Sequence, residues 1–317
     1  MLVTYEGSIM QEQIDKRLRK SYYIEQISNE NIVGYKSKYG WTNYMLRSNM
    51  LFSHRKNNYT VSNFPYKLHS DEAYEIVIYV EGDMEYICNN KMTETSRGLV
   101  VITKPSVIHT MRATQSLFYD RYVIYFLPTE FESMCVPVSL YGFATSGDEN
   151  ESNIFRLNPE GEGKMFSLLK NAEDELMKGE ANCNIAAYSY IMQLFIMFCR
   201  EETKAHLDFK PLPDIISKIK TYIDDNYLNI HTVSEVASNF FYSREYLSRM
   251  FGKFYNISMC DYIAMKKILC AKQLLVLGNS VTEVCYNSGF SNMSSFIKHF
   301  TKQTGMTPSA YKKLNKS

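Results

Sequence analysis

The sequence predicts an α+β chain of two domains: a small β-barrel followed by a helical pair, then an all-α region built on a repeated helix-turn-helix. Three observations carry this. Between Tyr59 and Phe126, β-branched and aromatic runs alternate with Gly, Asn and Pro turn signals. After residue 214 the apolar residues recur at spacings of three and four. Within 232–311 one pattern occurs twice.

Taken in order, residues 1–50 are weakly patterned, and an irregular lead-in is expected with one or two strands, around Tyr44 to Phe52. Residues 73–80 read as a strand, with a turn at Glu81-Gly82-Asp83. Residues 84–88 form the next strand, followed by the Asn89-Asn90 turn, and 99–103 form another, ended by Pro105. The aromatic run 117–127 is closed by Pro128, so several short strands suggest a barrel or sandwich. Residues 130–162 read as loop. Two helices follow. Met165, Leu168, Leu169, Ala172 and Leu176 form a stripe that stops at Gly179. Ile185, Tyr188, Ile191, Met192, Phe195 and Cys199 form a second stripe, on a helix too apolar for one buried face. Its excess must be covered by the barrel, the first helix or a second copy. Residues 203–213, with Pro211 and Pro213, read as a linker, and Asp214 is expected to cap a helix over 215–226.

The repeat begins with two capping boxes, Thr232-Val233-Ser234-Glu235 and Ser280-Val281-Thr282-Glu283, 48 positions apart. Past the next turn the offset becomes 49: Phe251 matches Phe300, Lys253 Lys302, Ser258 Thr307, and Tyr262 Tyr311. One residue has therefore been added near Ser288-Gly289-Phe290. Each copy reads as a short helix, a turn and a second helix. In the first, Leu247, Met250, Phe251 and Phe254 face inward, leaving Arg244, Glu245, Ser248, Arg249 and Lys253 outside. In the second, Phe296 and Phe300 face inward, leaving Asn292, Met293, Ser294, Ile297 and Lys298 outside, with Ser291 or Asn292 as cap. A helix fits the major groove, where short polar or cationic side chains reach base edges. Residues 258–277 form a connecting helix able to span ~30 Å, close to the ~34 Å between successive major grooves.

The charge distribution agrees with a phosphate-facing C-terminus. The net charge is +1, but residues 210–317 hold 14 Lys and Arg against 7 Asp and Glu, and the residues before them hold 21 against 27. The seven cysteines include no Cys-x-x-Cys pair and no zinc spacing, so they read as reduced thiols of a cytoplasmic protein. No apolar run reaches the ~20 residues of a membrane span.

The segment Gly289-Phe290-Ser291, Ser295-Phe296, Phe300, Thr304-Gly305-Met306-Thr307-Pro308-Ser309 and Tyr311 resembles the signature of the AraC/XylS family of bacterial transcription regulators, over about 105 C-terminal residues. Cys285, Lys298, His299 and Tyr255-Asn256-Ile257-Ser258 depart from the usual pattern without breaking the unit. The resemblance implies base contacts from Glu245, Ser248 and Arg249 in the first copy and Ser294, Ile297 and Lys298 in the second. With Arg244 and Asn292 beside them, these are the candidate DNA-binding residues. It also implies a homodimer joined through the helical pair, and RNA polymerase as partner if the protein activates.

The spacing of His69, Glu75 and Gly82, then Gly98, Pro105 and His109, resembles the two motifs of cupin barrels. Asp71 stands where metal cupins have a second His, and Val107 where they have Gly. His69, Glu75 and His109 are a donor set that divalent transition metals accept, with Asp71 as a fourth. These departures favour a pocket without metal or cofactor that binds a small effector. Its candidate residues are His69, Glu75, Tyr79, His109, Arg121 and Tyr125: Glu75, Val77 and Tyr79 share a strand face, and strand 117–127 offers Arg121 and Tyr125 on one side or Asp120 and Tyr122 on the other. Abundant tyrosine suits a carbohydrate. The expected division is 1–162 effector-binding, 163–202 dimerisation helices, 203–213 linker and 214–317 DNA-binding. The alternative is a metal-dependent cupin oxygenase or isomerase with a helical appendage.

Overall fold

The computed structural model of the chain describes residues 23–28, 32–37, 40–47, 49–60, 66–113, 115, 117–132, 142–145, 147–149, 151–200 and 210–315. The N-terminal region is a barrel-like pair of antiparallel sheets. The larger contains β1 (Tyr23–Ser28), β2 (Val33–Ser37), β3 (Thr42–Arg47), β4 (Met50–Tyr59), β5 (Tyr74–Glu81), β8 (Leu99–Thr103), β10 (Leu117–Phe126) and β11 (Asn153–Arg156), in the order β1-β2-β3-β4-β10-β5-β8-β11. The smaller contains β6 (Glu85–Cys88), β7 (Lys91–Glu94), β9 (His109–Arg112) and β12 (Lys210–Pro211), in the order β12-β7-β6-β9.

Strand alternation distributes side chains between two cores. Val77, Tyr79, Val101 and Tyr119 point into the barrel, while Ile76, Ile78, Ile102 and Ile124 point outward. The outward set is covered by Met165, Leu169 and Leu176 of α3 (Pro159–Lys178) and by Ile191, Leu194 and Phe195 of α4 (Cys183–Arg200). With both faces covered, β8 is an unbroken apolar run, Leu-Val-Val-Ile-Thr, buried throughout. In α4, Ile191 and Phe195 are buried but Ile185 is 61% exposed, and Met177 of α3 is 69% exposed.

Three sequence expectations change here. The lead-in is a β1–β2–β3 meander rather than irregular chain. The stretch 130–162 contains α1 (Thr129–Glu132), α2 (Gly142–Thr145), β11 and the first turn of α3. That turn starts at Pro159 because Asn158 caps it, its Oδ1 accepting from the Gly161 amide at 2.8 Å. Pro159 is tolerated there because first-turn amides have no intrahelical partner to lose. Helix α5 (Asp214–Asn226) begins at Asp214 rather than after it, with Pro213 at the cap position and no side-chain cap. Residues 203–209 of the expected linker lie outside the described residues, and Lys210–Pro211 pairs with β7.

The C-terminal region comprises α5, α6 (Val233–Asn239), α7 (Arg244–Tyr255), α8 (Met259–Val276), α9 (Val281–Asn287), α10 (Met293–Thr304) and α11 (Pro308–Leu314). Helices α6 and α9 start 48 positions apart and α7 and α10 start 49 apart, which puts the added residue in the second turn. Ser280 and Glu283 form a complete capping box, whereas Glu235 accepts from the His231 amide (3.0 Å), one residue before the Thr232 cap. Between α10's two candidate caps, Asn292 takes the role, accepting from the Ser295 amide at 2.8 Å. Met293 is half-buried against the second-copy core rather than left outside. The connecting helix α8 has 18 residues, a rise of ~27 Å, somewhat shorter than expected.

The first copy is braced by Asp224, which accepts from Lys220 (2.6 Å) and the Tyr262 hydroxyl (2.6 Å) and pairs with Lys266 (3.1 Å). Burial pushes this carboxyl upward, but the two ammonium groups and the hydrogen bonds outweigh it and leave its pKa below the ordinary aspartate value. A depressed carboxylate stabilises the fold above its unfolded pKa, and that contribution is lost as pH falls through the folded value. Asp224→Asn should cost about 1–3 kcal/mol at neutral pH. The gap from wild type should close in urea melts carried out at successively lower pH through the carboxylate range.

Candidate nucleic-acid interface and effector site

On α7, Leu247, Phe251, Phe254 and Tyr255 turn into the core, which leaves Arg244, Glu245 and Arg249 exposed and Ser248 half-exposed on the opposite face. On α10, Phe296 and Phe300 are buried, while Ser294, Ile297 and Lys298 are exposed. Asn292 is exposed, with its Oδ1 used as the cap. Beside α7, Phe241 is 96% exposed in the turn between α6 and α7, at a φ of 56° that non-glycine residues rarely adopt. Sequence periodicity did not single it out, because a turn aromatic carries no spacing signal.

Inside the barrel the nominated effector residues fall into two groups. At one end are His69, Glu75, His109 and Tyr125. His109 has Nδ1 3.0 Å from the Val107 carbonyl oxygen and Nε2 2.9 Å from Glu75 Oε2. The other Glu75 oxygen accepts from the Tyr125 hydroxyl. Burial pushes His109 towards its neutral form, but the hydrogen bond and charge of Glu75 outweigh this and carry its pKa above the usual histidine value. His69 has Nδ1 2.7 Å from the Lys67 carbonyl oxygen and Nε2 3.7 Å from Asp71 Oδ2. The ligand atoms of His69, Asp71, Glu75 and His109 all lie within 4.8 Å of one another. Anchoring each Nδ1 on a carbonyl aims both Nε2 atoms at the carboxylates, an arrangement that fits a divalent cation. The His109–Glu75–Tyr125 chain also satisfies its own members without one.

At the other end are Tyr79 and Arg121. The Tyr79 and Tyr119 hydroxyls both reach Met111 Sδ, at 3.1 and 3.0 Å. The Arg121 guanidinium lies over the rings of Tyr119 (4.1 Å) and Tyr66 (4.6 Å) and donates to the Tyr66 hydroxyl. Arg55 is its direct partner across the β4–β10 pairing, and both arginines are about 1% exposed. Arg55 was missed because Ser53 to Asn58 has the polarity of a loop. A separate cleft is lined by Tyr86, Cys88, Thr93, Glu151 and Ser152 and includes none of the nominated effector residues.

The two regions touch through residues 66–72 and the smaller sheet. Leu68, Ile87, Met92 and Ile108 pack in one core with Leu212, Ile216 and Phe254. The Leu68 amide donates to the Tyr255 carbonyl oxygen (3.3 Å), Asn256 Nδ2 to the Tyr66 carbonyl oxygen (3.3 Å), and Lys272 pairs with Glu72 (2.9 Å). The Arg112 guanidinium lies 4.3 Å above the Phe254 ring. The barrel is therefore joined to the C-terminal end of α7.

A family model for a helix-turn-helix domain matches residues 236–314, and one for an AraC-like ligand binding domain matches residues 51–147. The chain belongs to the AraC/XylS family of transcription regulators. The HTH-type regulator YfiF of Bacillus subtilis (strain 168) is 22% identical over 252 residues, 78% of this chain and 79% of that one. The melibiose operon regulatory protein of Escherichia coli (strain K12) is 22% identical over 251 residues, 76% of this chain and 82% of that one. A regulator encoded in the cgkA 5' region of Pseudoalteromonas carrageenovora is 34% identical over 99 residues, and there the chain spans 59% of its relative's length. As an AraC/XylS member this chain is a DNA-binding transcription regulator with a ligand-binding domain. Among the described residues no helix is long and apolar enough to cross a membrane.

Proposed function

We propose that the protein reads a promoter site through the outward faces of α7 and α10, under the control of a small molecule held in the barrel. The carrying observation is that both faces present cations and short polar groups, with Arg249 on one and Lys298 on the other. Phosphate contacts supply affinity, and Arg244, Glu245, Ser248, Arg249, Asn292, Ser294, Ile297 and Lys298 supply register and base choice. His69, Glu75, Tyr79, His109, Arg121 and Tyr125 form the effector end, and occupancy there shifts the docking of residues 66–72 against α7. The similarity to a melibiose operon regulator supports a sugar-like effector. The exposed apolar residues Ile185 and Met177 support a homodimer through α3 and α4. The reading includes a cytoplasmic location, RNA polymerase as partner in activation, no catalytic activity, and a division at 1–162, 163–202, 203–213 and 214–317.

Fluorescence anisotropy with duplex from the protein's own promoter tests the main point, and affinity that does not fall with salt would refute it. Arg249→Ala should weaken the specific site by about 1–3 kcal/mol while leaving random duplex nearly unchanged. The clustered donors of His69, Asp71, Glu75 and His109 favour one second reading, a metal-dependent barrel enzyme. Stoichiometric iron, manganese or zinc in the purified full chain would revive it.

A further inference from the structure

We propose that the barrel is a receptor for an anion, and that Arg121 is the seat of a carboxylate or phosphate group on the effector. This rests on the reading that the barrel takes an effector, and it names the chemical class.

Arg121 is 1% exposed, and among the described residues its Nε and Nη1 hydrogens meet no acceptor. Its guanidinium otherwise meets the hydroxyl and ring of Tyr66 and the ring of Tyr119. Among the described residues no carboxylate pairs with it. Arg55 stands directly opposite on β4, and directly opposed antiparallel residues hold their Cβ atoms only ~5 Å apart. Two fully buried guanidinium groups thus share one wall. The acid on that face of the sheet, Glu75, is four residues along β5 from Arg121's partner Tyr79, a run of ~13 Å, and it is already engaged by His109 and Tyr125.

Burying a cation without a counter-charge costs several kcal/mol, and an evolved core replaces such a group readily unless it serves binding. The guanidinium has two forks that a carboxylate or phosphate accepts in bidentate fashion, Nε with Nη2 and Nη1 with Nη2, and each joins a nitrogen that has no acceptor among the described residues to the Nη2 that donates to Tyr66. A neutral sugar would leave the charge uncompensated. The position also explains transmission. Tyr66, stacked on Arg121, offers its carbonyl oxygen to Asn256, the residue that follows α7. An anion drawing on the guanidinium competes with the Tyr66 hydroxyl for it, and residues 66–68 carry the change to the reader.

The test is thermal melting of the full chain with Arg121→Met. Without ligand, the variant should melt at least about 2 °C above wild type, because an uncompensated buried charge is removed. Inorganic phosphate, glucose 6-phosphate and glucuronate, at ionic strength matched with chloride, should raise the wild-type Tm and leave Arg121→Met unmoved. Glucose should act on neither. Glucose 6-phosphate acting without glucuronate identifies a phosphate ligand, and the reverse identifies a carboxylate. Arg121→Met melting below wild type would make the arginine a structural strut and overturn the proposal. So would anions that act equally on both proteins or on neither. Promoter binding by both proteins, measured in parallel, reports the regulator reading separately: its absence in wild type sinks that reading and leaves the melting result standing.

Discussion

Gly289→Ala is expected to unfold the second helix-turn-helix and abolish specific promoter binding. Gly289 has φ +84°, in the left-handed region, and an added Cβ would fall 2.9 Å from Leu228 Cα and nearer still to the Leu228 carbonyl oxygen. Both neighbours are backbone, so no side chain can rotate away. Left-handed strain on alanine costs ~1–2 kcal/mol and an unrelieved overlap a further ~1–3 kcal/mol, together on the order of 2–5 kcal/mol. The core that must absorb this is small, centred on Val284, Cys285, Phe296, Phe300 and Tyr311. Urea unfolding followed by circular dichroism, with promoter anisotropy alongside, measures both effects. Gly305→Ala supplies the comparison, since Gly305 has φ +74° but open space where Cβ would go, and it should cost only about 1 kcal/mol. Equal costs for the two variants would show that the Leu228 contact yields and that the joint is not rigid.

Gly289 also lies where the second copy departs from the first. Four residues separate α6 from α7 and five separate α9 from α10, and the longer turn is the one that abuts Leu228, in the segment that joins α5 to the first copy. The change of offset from 48 to 49 was legible in the sequence, but its reason was not, because the partner of the turn lies outside the repeat. The same division runs through the molecule. Strand β8 could be read because it is apolar throughout, and α7, α8 and α9 because Ser243, Ser258 and Ser280 cap them. Strand β4 could not, since its centre is polar. There His54 bonds to Asp120 and Glu173, and Arg55 to Ser53 and Asn43, pairings that link distant parts of the chain. Likewise, strand alternation set Arg121 and Tyr125 on one side of 117–127 and Asp120 and Tyr122 on the other, and the pairing of Arg121 with Tyr79 and of Tyr125 with Glu75 turns the first side inward. That no acid among the described residues pairs with Arg121 depends on what the neighbouring strands present, which no local pattern encodes.

Lys267→Met is expected to separate the two helix-turn-helix units in function more than in fold. Periodicity treats a lysine as surface, yet Lys267 of α8 is 6% exposed. Its ammonium donates to the Ile230 carbonyl oxygen (2.8 Å), just before α6, and to the Gly289 carbonyl oxygen (2.6 Å), in the turn of the second copy. One side chain thus ties both units to the spacer. Methionine fills similar volume but leaves two carbonyl groups without their donor, at about 1–3 kcal/mol for each, less the relief of desolvating one cation. We expect a net loss of about 2–3 kcal/mol in urea unfolding. Promoter duplexes carrying both half-sites should lose about tenfold more affinity than duplexes carrying one, because only the former require a fixed spacing between α7 and α10. The pH dependence gives an independent check. Burial, only partly offset by the charge of Glu235, holds the Lys267 pKa below the ordinary lysine value. The unfolded chain then binds this proton more tightly, so wild-type stability rises as pH climbs through the folded value towards the unfolded one. A neutral amine still has two N–H groups, one for each carbonyl. The stability gap between wild type and Lys267→Met should therefore widen at alkaline pH, and a gap that narrows would mean that the positive charge itself, rather than the pair of hydrogen bonds, holds the readers in register.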